Sequence, residues 1–308
     1  MSLKTPHTWM SLLLAFALVS ACRTREAPEV SPEYHSPAVQ TGTLQFSDLD
    51  EASGLAASHR DDTLWVVNDS NNPAVLFAMG PDGSERGRVR VLGVENRDWE
   101  DLASFVLAGT PYLLIADVGD NKAVHSACSL HVVEEPRLDT ALTEAPVAWT
   151  VRFGFPDGPR DCEAVGVDTE AERVLLLTKR DEPPVLYDVP LRPMGDTPVV
   201  ARRLAEVPHI PQPTQADLAE DPDYGATRAQ PTAMDIDAEG RFALVQTYGD
   251  TYLFRREPGE DWAEVFARVP ETIDIPQLRQ TEAACFSGSW IYLTTEKHPA
   301  PLYRVGVP

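Results

Sequence analysis

The sequence predicts an all-β fold built from repeated four-stranded units, on three observations. A short phrase returns along the chain as EASGL, WEDLA, CEAVG, PTAMD and TEAAC, aligned at Glu51, Glu100, Glu163, Thr232 and Glu282. Each phrase is followed by a turn, a short apolar run, a polar cluster and a second run. No stretch beyond residue 41 keeps a helical period over several turns. Short apolar runs bounded by Gly, Pro, Asn and Asp are strand signals. Four strands per unit, repeated, are the sequence form of a β-propeller, in which sheets stand as blades around a channel. We count five blades. Six is the alternative, because the step from Glu163 to Thr232 is long enough to hold a degenerate blade.

Taken in chain order, residues 1–21 read as a signal peptide. Lys4 gives a positive start, and MSLLLAFALV (10–19) is too short to span a bilayer comfortably. The run ends in Val19-Ser20-Ala21-Cys22, which resembles the lipobox of bacterial lipoproteins. The resemblance implies acylation of Cys22 and a membrane tether through that lipid. Arg23, standing where Asp would signal inner-membrane retention, points to the outer membrane. Residues 22–40 are polar and proline-containing and read as a disordered tether. Residues 41–308 read as one propeller domain, since all-β folds of this size are often single domains.

Within that domain the first apolar runs are LWVV (64–67), YLLIA (112–116), VLLL (174–177), FALV (242–245) and IYL (291–293). The second runs are AVLFAM, SLHVV, PVLYDV, TYLFRR and PLYRVGV. Four units add an outer run: RGRVRVL, VAWTVRF, VVARRLAEV and AEVFARV. The last unit lacks one. The N-terminal TLQF (43–46) is expected to supply it and to lace the ring shut. Ala216 to Glu220 reads as a short turn inside a long insertion.

The formal net charge is −22. Such a surface repels the phosphate backbone, which excludes nucleic acid as a partner. With Cys22 acylated, Cys128, Cys162 and Cys285 remain, without zinc spacing. Cys128 and Cys162 fall in loops on one face, so a disulfide between them is a hypothesis. Gly-x-Ser-x-Gly, His-Glu-x-x-His and phosphate-cradling glycine loops are absent. His59 and His131 read as structural, and Trp99 is a candidate to line the channel mouth.

Propeller geometry puts the start of each first strand and the end of each second strand at the same mouth. Glu51, Glu100, Glu163 and Glu282 gather there, with Asp101 and Asp161 beside them. Asn68, Asp69, Asp117, Asp120, Asn121, Lys179, Arg180, Tyr248, Glu296 and Lys297 come from the second-strand ends. Converging carboxylates must protonate, stay hydrated, pair with a basic group or bind a cation. Hard oxygen donors favour calcium or magnesium. The metal-ligand candidates are Glu51, Glu100, Glu163, Glu282, Asp117, Asp120 and Asn121, with Ca2+ as the ion. The loop DVGDN (117–121) is the most metal-like word, and it reads equally well as a hairpin whose Asp and Asn cap their own backbone.

EASGLAAS, LWVVNDS, N-x-DWEDLA, DVGDN, FPDGPRDCEA and LLLTKR, in this order, resemble a group of bacterial exported propellers described as phytase-like esterases or as lipoproteins. The resemblance spans residues 45 to 297. It implies calcium-assisted phosphoester hydrolysis, with metal on the acidic mouth and substrate phosphates on Lys179, Arg180 and Lys297. The mouth carries fewer basic residues than a phytate site calls for. Propellers of the gluconolactonase type, with Glu, Asn and Asp around one divalent ion, are a second resemblance, of architecture alone.

Two function classes follow. One is a tethered binding or scaffold module whose mouth or loops hold a protein, a glycan or a small anionic ligand. The other is a divalent-metal-dependent phosphoester or ester hydrolase. Its catalytic candidates are Asp69 or Asp120 as base and Lys179 or Arg180 for an anion.

Overall fold

Each apolar run forms a strand, and the runs pair as antiparallel meanders. The computed structural model describes residues 1–2, 37–138, 144–276 and 278–307. After β1 (Val39–Thr43) come β2 (Ala52–Ala57), β3 (Leu64–Asn68), β4 (Val75–Met79) and β5 (Glu85–Leu92). The second run is β6 (Trp99–Leu107), β7 (Thr110–Asp117), β8 (Cys128–Glu134) and β9 (Glu144–Gly154). The third is β10 (Cys162–Asp168), β11 (Arg173–Thr178), β12 (Val185–Pro190), the two-residue β13 (Val199–Val200) and β14 (Arg202–Glu206). Helices α1 (Gln215–Glu220) and α2 (Pro222–Thr227) follow. The fourth run is β15 (Pro231–Ile236), β16 (Phe242–Thr247), β17 (Thr251–Arg255), helix α3 (Trp262–Phe266) and β18 (Glu271–Ile273). The last is β19 (Thr281–Ser287), β20 (Trp290–Thr295) and β21 (Pro301–Gly306).

Three sheets are four-stranded, in the orders β10-β11-β12-β14, β15-β16-β17-β18 and β1-β21-β20-β19. The first two runs join into one nine-stranded sheet, because β5 pairs in parallel with β9 and β13 adds beside β9. The strands β2, β6, β10, β15 and β19 lie side by side in that order, and β19 returns to β2. This is the arrangement of a β-propeller.

An apolar core fills each gap between consecutive runs. Val174 and Leu176 of β11 pack with Leu114 and Val132 of the second run, whereas Leu175 and Leu177 pack with Met234 and Ala243 of the fourth. Side chains alternate across a strand, so both faces of the sheet are buried and the run reads VLLL rather than alternating with polar residues. At the seam, Leu55 and Phe77 pack with Tyr292 and Leu302. Close approach at the channel demands small residues. A Cβ on Gly54 would lie 2.4 Å from the Leu102 nitrogen of β6, so only glycine fits there.

Three expectations change. The closing strand is Val39–Thr43, which begins inside the expected tether, and not Thr43–Phe46; β1 pairs antiparallel with β21. Leu44 and Phe46 are instead buried in the seam core. An outermost strand is half in water, and the polar VQTGT suits it better than apolar TLQF. AEVFARV does not continue the sheet. Asp261 caps α3 by accepting from the Ala263 N–H at 3.0 Å. Trp262, Val265 and Phe266 are then buried together at helical spacing. The outer strand is the later β18. The long step from Glu163 to Thr232 holds α1 and α2, and the expected turn at Ala216–Glu220 is α1, closed by a capping box between Thr214 and Asp217.

Cys128, Cys162 and Cys285 are buried free thiols, so the Cys128–Cys162 disulfide is not formed. The two sulfurs turn to backbone carbonyls instead, Cys128 Sγ to Val118 O at 3.7 Å and Cys162 Sγ to Leu177 O at 3.3 Å. Cys22 and nearly all of the expected signal and tether lie outside the described residues. Among the described residues no helix is long and apolar enough to cross a membrane.

Candidate functional site

At the start of every first strand the register slips by one residue against the second strand. The shifts fall between Ala52 and Leu55, Trp99 and Asp101, Cys162 and Ala164, Pro231 and Ala233, and Thr281 and Ala283. A bulge of this kind leaves one residue without a ladder partner and re-aims its side chain. The bulged positions are Ser53, Glu100, Glu163, Thr232 and Glu282. The repeat therefore aligns Ser53, and not Glu51, with the three inner glutamates.

Corrected in this way, the strands present three rings at one mouth. The bulged residues form the inner ring. Two residues earlier stand Glu51, Asp98, Asp161, Gln230 and Gln280. The carbonyls of Glu51, Asp161, Gln230 and Gln280 accept N–H groups from Asp69, Lys179, Tyr248 and Glu296, the residues just past the second strands. In the second run the same bond reaches Asp98 O from Gly119 N–H. Asp98 is the site residue that the sequence reading missed. The D-x-E spacing shared by Asp98–Glu100 and Asp161–Glu163 was the signal for it.

The rings enclose a cavity of about 450 Å3 lined by Asp69, Glu100, Glu163, Lys179, Tyr248 and Glu282, among others. Asn121, Arg180, Arg279 and Glu296 also border it, and α2 contributes Asp223, Tyr224 and Thr227 as a wall. Tyr224 Oη lies 2.6 Å from Tyr248 O and 2.9 Å from Leu278 O, which ties that wall to the mouth.

Oxygens of Asp69, Asp98 and Glu100 lie within 4.8 Å of one another, as do those of Glu100, Asp161 and Glu163. Oxygens bound 2.3–2.6 Å from one calcium ion span up to about 5 Å across it. The donor chemistry and spacing of these clusters therefore fit a hard divalent cation.

The electrostatics agree with that fit. Burial first, then the charges of Asp69 and Asp161, push the Asp98 carboxyl up to about 6. Burial, then Glu296 and Glu163, push Glu282 up to about 8. Burial and the neighbouring Glu163 and Asp69 hold Glu100 well above the ordinary range. Burial also raises Asp69 and Glu296. Burial alone would lower Lys179, but Glu163, Tyr248 and Glu100 outweigh it and hold the ammonium protonated. Lys179 Nζ donates to Glu163 Oε1 and to Tyr248 Oη, the latter at 2.9 Å.

Other expected site residues have different employment. Glu51 stands at the rim, where its carboxylate accepts from Asn72 Nδ2 at 2.8 Å. Asp117 pairs with Arg97 at 3.1 Å. Asp120 accepts from the Val124 and His125 N–H groups at 2.9 and 2.7 Å, so it caps its own loop. Asn121 accepts from Arg180. Neither Asp117 nor Asp120 belongs to the acidic clusters among the described residues. Asn68 holds the strand end, its Nδ2 donating to Asp48 O at 2.8 Å. Lys297 is exposed and does not line the cavity. Trp99 is fully buried in the core between the first two runs. Asp101 lies deeper in the channel, where it accepts from the N–H groups of Leu102, Val165 and Met234 and so laces β6, β10 and β15 together.

No family model and no curated protein matches the chain. Solved structures do resemble it. A luciferin-regenerating enzyme shows 13% identity and a TM-score of 0.41, over 86% of this chain and 94% of its own. A gluconolactonase from Xanthomonas campestris shows 11% identity and a TM-score of 0.42, over 93% and 100%. A nidogen/laminin complex shows 12% identity and a TM-score of 0.42, over 80% and 73%.

Proposed function

We propose that the protein is a five-bladed propeller whose acidic mouth holds a divalent cation, calcium by its donor set, and hydrolyses a small anionic ester or phosphoester. The single observation behind this reading is the buried Glu100, shared by two clusters of closely spaced carboxylate oxygens at the edge of a polar cavity. A bound divalent ion would supply Lewis-acid polarisation of the scissile group and activation of water. Lys179, Arg180 and Arg279 border the same cavity and suit an anionic ligand. Of the two base candidates, Asp120 spends its carboxylate on its own loop, whereas Asp69 lines the cavity but stands in one of the two carboxylate clusters, where it would hold the ion.

Panels of phosphomonoesters, phosphodiesters, aryl esters and lactones test the reading, each with and without Ca2+, Mg2+ and Mn2+. Turnover that needs a divalent ion and is lost in Glu100→Gln supports it. No turnover under any condition sinks the hydrolase.

The second reading, a binding or scaffold module for a protein or glycan, is favoured by one observation. Lys179 already supplies an internal cation to Glu163, as a site built for stability would. Calcium that raises the melting temperature without any turnover selects this reading.

We propose also that residues 1–21 are a signal peptide and that lipid on Cys22 anchors residues 41–308 to the outer membrane through the intervening tether. The lipobox-like Val19-Ser20-Ala21-Cys22 and the following Arg23 support this. The net charge of −22 argues against nucleic acid as a partner. Metabolic labelling with a fatty acid, lost in Cys22→Ser, tests the anchor.

A further inference from the structure

We propose that the cation sits on the Asp69–Asp98–Glu100 side of the mouth, and that Lys179 and Arg180 close the Asp161–Glu163 side to it. This rests on the cation-centre reading above. The two clusters overlap at Glu100, so one ion has two ways to sit. They differ in what already occupies their oxygens.

On the Asp161–Glu163 side resident cations already face the carboxylates, although Asp161 Oδ2 itself accepts no hydrogen bond among the described residues. Lys179 Nζ donates to Glu163 Oε1. Asp161 Oδ1 accepts the Asp120 N–H at 2.9 Å, and its Oδ2 lies 2.7 Å from Arg180 Nε. A cation there would meet two resident positive charges. Like charges at such short range repel.

On the other side no ion pair holds Asp69, Asp98 or Glu100 among the described residues, and only Asp69 Oδ1 is taken, by the Ser70 N–H. Glu100 is only 4% exposed. The hydrogen bond it accepts, from Ser53 Oγ at 2.7 Å, ends on its backbone carbonyl. Among the described residues its carboxylate has no hydrogen-bond or ion-pair partner. An unpaired buried carboxylate is costly, and this one has oxygens within 4.8 Å of those of Asp98 and Asp69 as well as of Asp161 and Glu163. Asp98 is held by its backbone: its N–H donates to Asp117 Oδ1 at 3.2 Å, and its carbonyl accepts from Gly119 at 3.3 Å. Its neighbour Arg97 is spent on Asp117 and on the Ala127 and Asp117 carbonyls.

Gly119 is a third, independent mark of this side. A Cβ there would lie 2.2 Å from Glu100 Oε1 and 2.6 Å from Asp98 Oδ2. The DVGDN loop thus serves the site through its glycine, which leaves room for two carboxylates, while its own acids pair elsewhere.

Calorimetric titration of Ca2+ into the full chain and four variants tests the placement, with melting in EDTA as the check on folding. The wild type is expected to bind one ion. Asp98→Asn weakens binding about 100-fold, and Asp161→Asn less than about threefold. Gly119→Ala keeps every charge and weakens binding by about 10- to 100-fold. Lys179→Met frees Glu163 and binds a second ion. If Asp98→Asn does not fold, Asp69→Asn takes its place with the same expectation. Equal or greater weakening by Asp161→Asn overturns the placement but leaves the cation centre standing. So does a Lys179→Met chain with one ion and unchanged affinity. A wild type that binds neither Ca2+, Mg2+ nor Mn2+ overturns both.

Discussion

Carboxylates crowded against one another, with too few cations to go round, bind protons more readily in the folded chain than in the unfolded one. Asp98 at about 6 and Glu282 at about 8 stand well above the ordinary carboxylate value near 4. A raised value means that the stabilising contribution is complete below the unfolded pKa and is lost as pH rises through the folded one. In EDTA the melting temperature is therefore expected to fall steadily from pH 5 to pH 9. Millimolar Ca2+ should reverse the slope, because the ion takes the place of the protons. A melting temperature that rises with pH in EDTA would contradict the crowding. Glu100→Gln removes one charge from the crowd. It should stabilise the metal-free protein by about 1–3 kcal/mol and abolish the calcium-dependent gain, both read by denaturant titration. Much of this chemistry was legible in residue order, since Glu100, Glu163 and Glu282 stand where the repeated phrase puts them. The true place of Glu51 was not, and Asp98 was marked only by its D-x-E spacing to Glu100. The phrase was aligned by its acids, whereas the backbone aligns it by its bulge, and a bulge leaves no letter in the sequence.

At the level of strands and helices, the continuous apolar runs were readable because both faces of each sheet are buried. The outer strand of the fourth run was misread for the opposite reason. AEVFARV is apolar enough for a strand, and only the cap at Asp261 and the spacing of Trp262, Val265 and Phe266 make it a helical turn. That turn is well anchored. Trp262 Nε1 donates to Asp168 Oδ2 at 2.8 Å, and the Arg256 guanidinium lies 4.8 Å from its ring centroid. Trp262→Ala should cost about 3–5 kcal/mol and leave calcium affinity untouched, since α3 lies outside the mouth. Urea titration and calorimetry together check this. An equal loss of affinity would mean that the outer helix and the mouth are coupled. The α1–α2 insertion had no period to read. Its helices are six residues each, and they owe their ends to caps at Thr214 and Asp221.

For the molecule as a whole, the seam is the feature most exposed to test. Removing residues up to Thr43 takes away β1 and opens the edge of β21. Such a chain should melt at least about 5 °C lower and self-associate through the bare edge, as seen by calorimetry and light scattering. The same seam governs when the protein can exist at all. One sheet joins strands far apart in the chain, with Val39 opposite Arg304. The ring has no finished state until β21 has been made. The emerging chain has to wait, unclosed, until its final strand leaves the ribosome, and long-range pairing of this kind forms slowly. If the chain is exported as proposed, that delay is an advantage, because a chain that cannot yet close can still be threaded through a membrane.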